Sequence, residues 1–200
     1  LLKTSKGGCR MIGLVYAGGK STRFGKDKAT YHAPGLPATN IELAVEKLTP
    51  FCQQIVVCAN EINRAHILKL VGQEPAVQII CDIPPYDHHG PLSAIIACTS
   101  HFSTLQDYLT LAVDYPYLTK DSLAVLARTS NSYIVTSQHS HYSLAHFSVS
   151  NEQVTTWVDN NSDWRLRSFI TNKCGCHPLA YRSSAEFSNL NYREVDLNEK

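Results

Sequence analysis

Short apolar runs rich in β-branched residues recur along this chain, each followed by a stretch of helical character. The runs are MIGLVY (11–16), QIVVCA (54–59), AVQIIC (76–81) and YLTLAV (108–113). Each is too short for a helix of its own and ends in turn residues, so each predicts a buried strand. Asn40 precedes IELAVEKL, Asn60 precedes INRAHILKLV, the turn-rich DIPPYDHHGP precedes LSAIIACTSH, and Thr119 precedes KDSLAVLART. Ile41, Leu43–Val45 and Leu48 give the first of these segments an apolar face, and Asn40, Asn60 and Thr119 are of types that cap helices. SYIVTS (132–137) and SLAHFSV (143–149) are further β-like segments, and helices are expected around 151–159 and 163–171. Strands alternating with helices build a mostly parallel sheet with right-handed crossovers and helices on both faces. The expected fold class is therefore α/β: a single-domain, three-layer α/β/α sandwich around a mostly parallel, Rossmann-like sheet.

No internal repeat, low-complexity tract or linker divides residues 11–200. Residues 1–10, LLKTSKGGCR, stand ahead of Met11, the only methionine, and are set aside as an N-terminal extension. A chain of 200 residues with 44% hydrophobic content can bury one substantial core. Eighteen lysines and arginines against 17 aspartates and glutamates leave no global field to gather nucleic acid or an anionic membrane. Any phosphate binding must then be local. No apolar run approaches the roughly 20 residues of a membrane span, and the N-terminus lacks the apolar centre of a signal peptide. The cysteine count is odd at 7, and Cys9, Cys52, Cys58, Cys81 and Cys98 are scattered singly. This usage predicts a reduced, cytoplasmic protein rather than a disulfide scaffold.

The loop VYAGGKSTRFGKDK (15–28) is the most chemically pointed stretch. GGKST suggests the end of a Walker A motif, but that motif would need glycine where Leu14 stands, and Gly13 comes one residue too early. The dinucleotide pattern Gly-x-Gly-x-x-Gly is also absent, because Gly18 and Gly19 are adjacent. What remains is a glycine loop directly after a buried strand, whose backbone N–H groups can approach a triphosphate closely. Arg23 can grip phosphate oxygens in a fork, Lys28 adds a point charge, and Gly25 lets the loop fold back so that both face one site. In open α/β sheets ligands collect beyond the carboxyl ends of the strands. That rule selects the loop after Tyr16, the Cys58–Asn60 turn, the loop from Asp82, and Asp114.

Mg²⁺ takes oxygen ligands, usually one or two carboxylates plus substrate phosphates. Asp114, placed after an apolar run, is the expected metal ligand, and Asp82 is expected to hold ribose or base. Asn60 could contact a nucleotide or simply cap the next helix. Among the 9 histidines, His139, His141 and His146 flank a β-like segment, and His89 stands just before Gly90. Cys174, Cys176 and His177 form a Cys-x-Cys-His group without a second ligand pair at zinc spacing, so a structural zinc is not expected. The chain offers no convincing Ser-His-Asp or Cys-His arrangement.

AGGKSTRFGKDK resembles the signature of the molybdenum cofactor guanylyltransferase (MobA) family of nucleotidyltransferases. IVVCAN, ICDIPPYDHHGPLSAI, LTLAVDYPYLT and FSNLNYREVDL resemble further family segments in order, so the likeness covers about residues 11–197. It implies a fold of the nucleotide-diphospho-sugar transferase type. It also implies Mg²⁺-dependent transfer of GMP from GTP to the terminal phosphate of molybdopterin or its molybdenum form, releasing pyrophosphate and leaving a guanine dinucleotide cofactor. The residues carried over by resemblance are Tyr16, Ala17, Gly18, Gly19, Lys28, Asn60, Asp82 and Asp114 for the nucleotide. Asn189 and Asn191 would lie near the pterin-bearing substrate. Arg23, Lys28 and Asp114 are the expected catalytic groups, with Asp114 on the metal. Other cofactor-assembly proteins or acceptor molybdoenzymes would be the macromolecular partners. Related cytidylyltransferases share the first loop, so a cytidylyltransferase, a sugar-phosphate nucleotidyltransferase or a degenerate nucleotide-binding module on the same scaffold stay open. The chain departs from the family at Cys58, where many relatives carry Asn, and at Ala94, which replaces a glycine after Gly-Pro-Leu. HAPGLPATN replaces the usual Asn-Gly-Lys-Pro turn, and no Thr-Pro follows the Asn-x-Asn element.

Overall fold

A computed structural model describes residues 11–19, 24–182 and 185–190. Its sheet has 7 strands in the order β3-β2-β1-β4-β6-β5-β7. These are β1 (Ile12–Tyr16), β2 (Gln54–Ala59), β3 (Val77–Cys81), β4 (Gln106–Ala112), β5 (Ser132–Val135), β6 (Ser140–Val149) and β7 (His177–Ala180). Among the described strands β6 runs against all the others. The helices are α1 (Asn40–Leu48), α2 (Arg64–Val71), α3 (Pro91–Thr99), α4 (Lys120–Arg128) and α5 (Asn151–Asn161).

The apolar runs are continuous rather than alternating because both sheet faces are covered. Val15, Val57, Leu109 and Leu111 meet Ile41, Val45, Leu48, Ile67, Leu123 and Leu126 of α1, α2 and α4 on one face. Ile12, Leu14, Val56, Tyr108 and Phe147 meet Leu92, Ile95, Val154 and Val158 of α3 and α5 on the other. This is the expected three-layer sandwich. Ile12, Leu14 and Ile55 are at most 1% exposed, and truncating such a side chain to alanine costs about 2–5 kcal/mol.

Some local details differ from the sequence reading. Thr119 caps α4 as expected, accepting from Ser122 N at 3.2 Å. Asn40 does not cap α1; it is the first helical residue, and Thr39 is the cap. Glu42, three residues on, accepts from Thr39 N at 2.8 Å, a capping box that outcompetes the isolated Asn. Asn60 likewise lies outside α2, whose cap position is Asn63. The helix expected around 163–171 is a single turn, Leu166–Ser168, running into a π-helical turn, Phe169–Lys173. β7 was not anticipated, since Pro178 argues against a central strand; it is an edge strand, where proline is tolerated.

The chain lays down β1, β2 and β3 outward in one direction, then returns to place β4 on the other side of β1. The carboxyl ends of β1 and β4 are therefore the switch point of the sheet, where the two loops diverge and leave a crevice. Tyr16 pairs with Ala112 of β4 and with Cys58 of β2 at that edge.

Candidate active site

The crevice is built from the backbone outward. Ala17 N donates to Cys58 O at 2.9 Å, and Val113 N donates to Tyr16 O at 3.2 Å, so the strand ladder extends into the loop. Gly18 then passes so close to the end of β2 that a Cβ there would stand 3.3 Å from the Ala59 carbonyl oxygen. Among the described residues a Cβ on Gly19 would meet nothing within 4 Å, and this residue is exposed. Close approach at the first glycine and open space at the second give a groove floor made of backbone.

Two asparagines hold that floor. Asn60 Nδ2 donates to Gly18 O at 3.1 Å, while its Oδ1 accepts from Ile62 N and Asn63 N, each at 2.9 Å. Asn63 Nδ2 donates to Ala17 O at 2.9 Å and to Asp27 Oδ1 at 3.1 Å, and Asn63 Oδ1 accepts from Asn60 N at 2.9 Å. Asn60 thus organises a turn and braces the glycine loop rather than capping α2. Asn63, 2% exposed, was missed as a site residue. The signal was present in Asn-x-x-Asn directly after an apolar strand.

Phe24 anchors the far side of the loop. It is 2% exposed and packs edge-on against Tyr31 at 4.9 Å. Lys28 Nζ lies 5.8 Å from the Phe24 ring centroid, and its carbonyl accepts from Asn40 Nδ2 at 2.9 Å. These contacts aim Lys28 at Asp114, two residues beyond β4, with Nζ 3.8 Å from Oδ2. Burial lowers the pKa of the Lys28 ammonium, opposed by the charge of Asp114. Burial likewise raises the Asp114 carboxyl, opposed by Lys28. Among the described residues Asp114 Oδ1 is buried without a hydrogen-bond partner. Among the described residues the cation nearest this carboxylate is Lys28, at 3.8 Å, and the Oδ1 atom has no donor. That oxygen suits a hard cation such as Mg²⁺.

Asp82 stands at the end of β3, three strand spacings from β4 in the sheet order. At about 4.8 Å per spacing the ends of the two strands are roughly 14 Å apart. Asp82 accepts from the His88 backbone N–H and closes its own loop, while burial raises its pKa. His89 stacks on Trp164 with ring centroids 3.8 Å apart. Asn189 hydrogen-bonds Tyr115, and Leu190 N donates to Asp114 O at 2.9 Å, which brings the C-terminal segment against the Asp114 turn. Arg23 and Asn191 lie outside the described residues.

The two departures from the family pattern touch one another. Cys58 Sγ donates to Ala94 O at 3.3 Å inside the α3 layer, and burial raises the thiol pKa well above its ordinary value. Tyr16 packs into the same layer, and its backbone carbonyl accepts from Val113 N at 3.2 Å. Cys176 Sγ lies 3.8 Å from His146 O in the core, its thiol pKa pushed up to about 12. No group of three or more His, Cys, Asp or Glu side chains suited to a metal occurs among the described residues. Nor does any helix among them have the length and apolarity to cross a membrane.

Comparison with known proteins agrees with this architecture. A family model described as a MobA-like NTP transferase domain matches residues 13–194. A Bacillus cereus (strain Q1) protein described as "probable molybdenum cofactor guanylyltransferase" is 34% identical over 125 residues, covering 62% of this chain and 59% of that protein. A Bacillus thuringiensis (strain Al Hakam) protein of the same description is 33% identical over the same span. The matched region thus spans about three fifths of the relatives' length. Among solved structures, a nucleotidyl transferase from Methanothermobacter thermautotroptrophicus superposes with a TM-score of 0.66 at 14% identity, covering 95% of each chain. The 4-diphosphocytidyl-2C-methyl-D-erythritol synthase of Anaerococcus prevotii gives 0.59 at 6% identity, covering 94% of this chain and 92% of the other. Both show the fold.

Proposed function

Because the chain belongs to the family of MobA-like NTP transferase domains, we propose that it transfers GMP from GTP to the terminal phosphate of molybdopterin or its molybdenum form. An oxygen of the acceptor phosphate attacks the α-phosphorus of GTP, the bond to the bridging β-phosphate oxygen breaks, and pyrophosphate leaves. The observation that carries the reading is the Lys28–Asp114 pair, 3.8 Å apart beside the glycine loop at the switch point of the sheet. The guanine and pterin specificity is supported by the descriptions of the Bacillus relatives.

The chemistry asks little covalent work of the protein. A phosphate nucleophile is already anionic at neutral pH, so no general base is needed. Placement and charge neutralisation are the requirements. Gly18 and Gly19 bring backbone to the phosphates, and Asn60 and Asn63 keep that backbone from moving. Lys28, relieved of part of its burial cost by an incoming polyanion, neutralises phosphate charge. Asp114 would hold Mg²⁺, which when bound supplies further neutralisation of the α-phosphate and the departing pyrophosphate. Asp82 would face the ribose or base from the end of β3, and Asn189 would meet the acceptor beside Tyr115.

Calorimetry with GTP, CTP, ATP and UTP in the presence of Mg²⁺ tests the assignment. GTP is expected to bind most tightly. A preference for CTP contradicts the guanylyl reading and favours cytidylyl transfer on the same scaffold.

A further inference from the structure

The turn that carries Asp114 is closed by an unusual group. Backbone amides satisfy most of its carbonyls. Tyr115 N donates to Ala112 O at 3.3 Å, Leu190 N to Asp114 O at 2.9 Å, and Leu118 N to Tyr115 O at 3.3 Å. The Pro116 carbonyl is met instead by a charged side chain, the Lys47 Nζ, from near the end of α1. Lys47 is only 8% exposed, and burial pushes its ammonium pKa down to about 8.

A buried ammonium with a single carbonyl acceptor is costly, and a neutral donor could close a merely structural turn more cheaply. Lys47 stands among the apolar residues of α1, and its neighbour Glu46 is occupied at the surface by Lys120 at 2.7 Å. The ammonium therefore bears on the sheet edge at one point, two residues past the proposed metal ligand. On the other side of the same turn Tyr115 is fixed by its hydroxyl, 3.0 Å from His141 Nδ1. Held from α1 and from β6, the turn has little freedom to swing its carboxylate.

We propose that Lys47 is a positioning residue for nucleotidyl transfer: by holding the Pro116 carbonyl from beneath, it fixes the Asp114 carboxylate where the metal and the α-phosphate must meet. The proposal rests on the reading of Asp114 as the metal ligand. Lys47 acts through the Pro116 carbonyl, so its loss acts on the placement of Asp114 and leaves the glycine loop and Lys28 in place.

The test compares Lys47→Met, Asp114→Asn and the double variant in the full-length protein. It measures kcat, KM for GTP, half-saturating Mg²⁺, and Mn²⁺ binding to the GTP complex by electron paramagnetic resonance. Lys47→Met is expected to lower kcat about 10-fold, less than the roughly 10²-fold that a full 1 Å misplacement can cost. It should also raise half-saturating Mg²⁺ and weaken Mn²⁺ binding while leaving KM for GTP unchanged. In the Asp114→Asn background it should cost nothing more, because its effect passes through that carboxylate. If Met does not fold at this position, Lys47→Leu is measured with the same expectations. A folded variant with wild-type kcat and metal requirement overturns the proposal, as does an undiminished loss on top of Asp114→Asn. An Asp114→Asn protein with a wild-type magnesium requirement overturns the metal reading itself, and the role of Lys47 with it.

Discussion

Asn63 donates to the carbonyl of Ala17, 46 residues earlier in the chain, at 2.9 Å. This bond ties the start of α2 to the last residue before the glycine pair. Asn63→Ala would leave the Ala17 carbonyl and Asp27 without that donor in a buried setting, a loss of about 1–3 kcal/mol in stability. Urea unfolding should show it, together with weaker nucleotide binding. Unchanged stability would mean that the loop holds its shape without α2.

Lys28→Ala removes the cation that lies beside Asp114 among the described residues and, on the proposed function, a positive group for the phosphates. Nucleotide affinity should fall by about 1.5–3 kcal/mol, the range for hydrogen bonds to charged groups. The fold should survive, because Phe24 and the Asn40 bond to the Lys28 carbonyl remain. Calorimetry with GTP and Mg²⁺ measures the change, and an unaltered affinity would leave the loop without a phosphate role.

Much of the fold was legible because both sheet faces are buried and the strands are plain apolar runs. Thr119 was legible as a cap because it accepts from a residue three positions on. Asn40 and Asn60 were misassigned for a related reason: the competing caps, Thr39 with Glu42 and Asn63, lie within three residues of them. The proximity of Lys28 and Asp114 was legible from their places in the glycine loop and after a strand. Lys47 could not, since its contact spans 69 residues and its α1 segment reads as an ordinary amphipathic face. Cys58 was legible as a departure from the family pattern, but not that its thiol turns into the α3 layer to meet Ala94 O.

Lys47 also gives the protein a distinct stability profile with pH. Its ammonium pKa falls from 10.5 to about 8 in the folded state, chiefly through burial. Below about pH 8 both folded and unfolded forms carry the proton, and the folded form bears the full cost of burying the charge. Between about 8 and 10.5 the unfolded chain binds more protons, so the Lys47 contribution to stability rises with pH. The difference in unfolding free energy between wild type and Lys47→Met should therefore shift in favour of wild type from pH 7 to 10.5. The shift is at most about 3 kcal/mol, at roughly 1.4 kcal/mol per pH unit. Taking the difference cancels the opposing titration of buried tyrosines and thiols. Urea midpoints at pH 7, 8, 9 and 10 would show it, and a difference independent of pH would contradict the burial of a charged Lys47.

The most direct measurement is pyrophosphate release from GTP with Mg²⁺ and molybdopterin, on wild type and Asp114→Asn side by side. Asn keeps the shape and one oxygen but loses the charge that would hold the metal. Turnover should fall by at least about 10²-fold, as when one strong electrostatic contributor is removed. GTP binding should weaken far less, since the glycine loop and Lys28 remain. Near-normal, Mg²⁺-dependent release by the Asp114→Asn protein would contradict the assignment of Asp114 as the carboxylate on which the reaction depends.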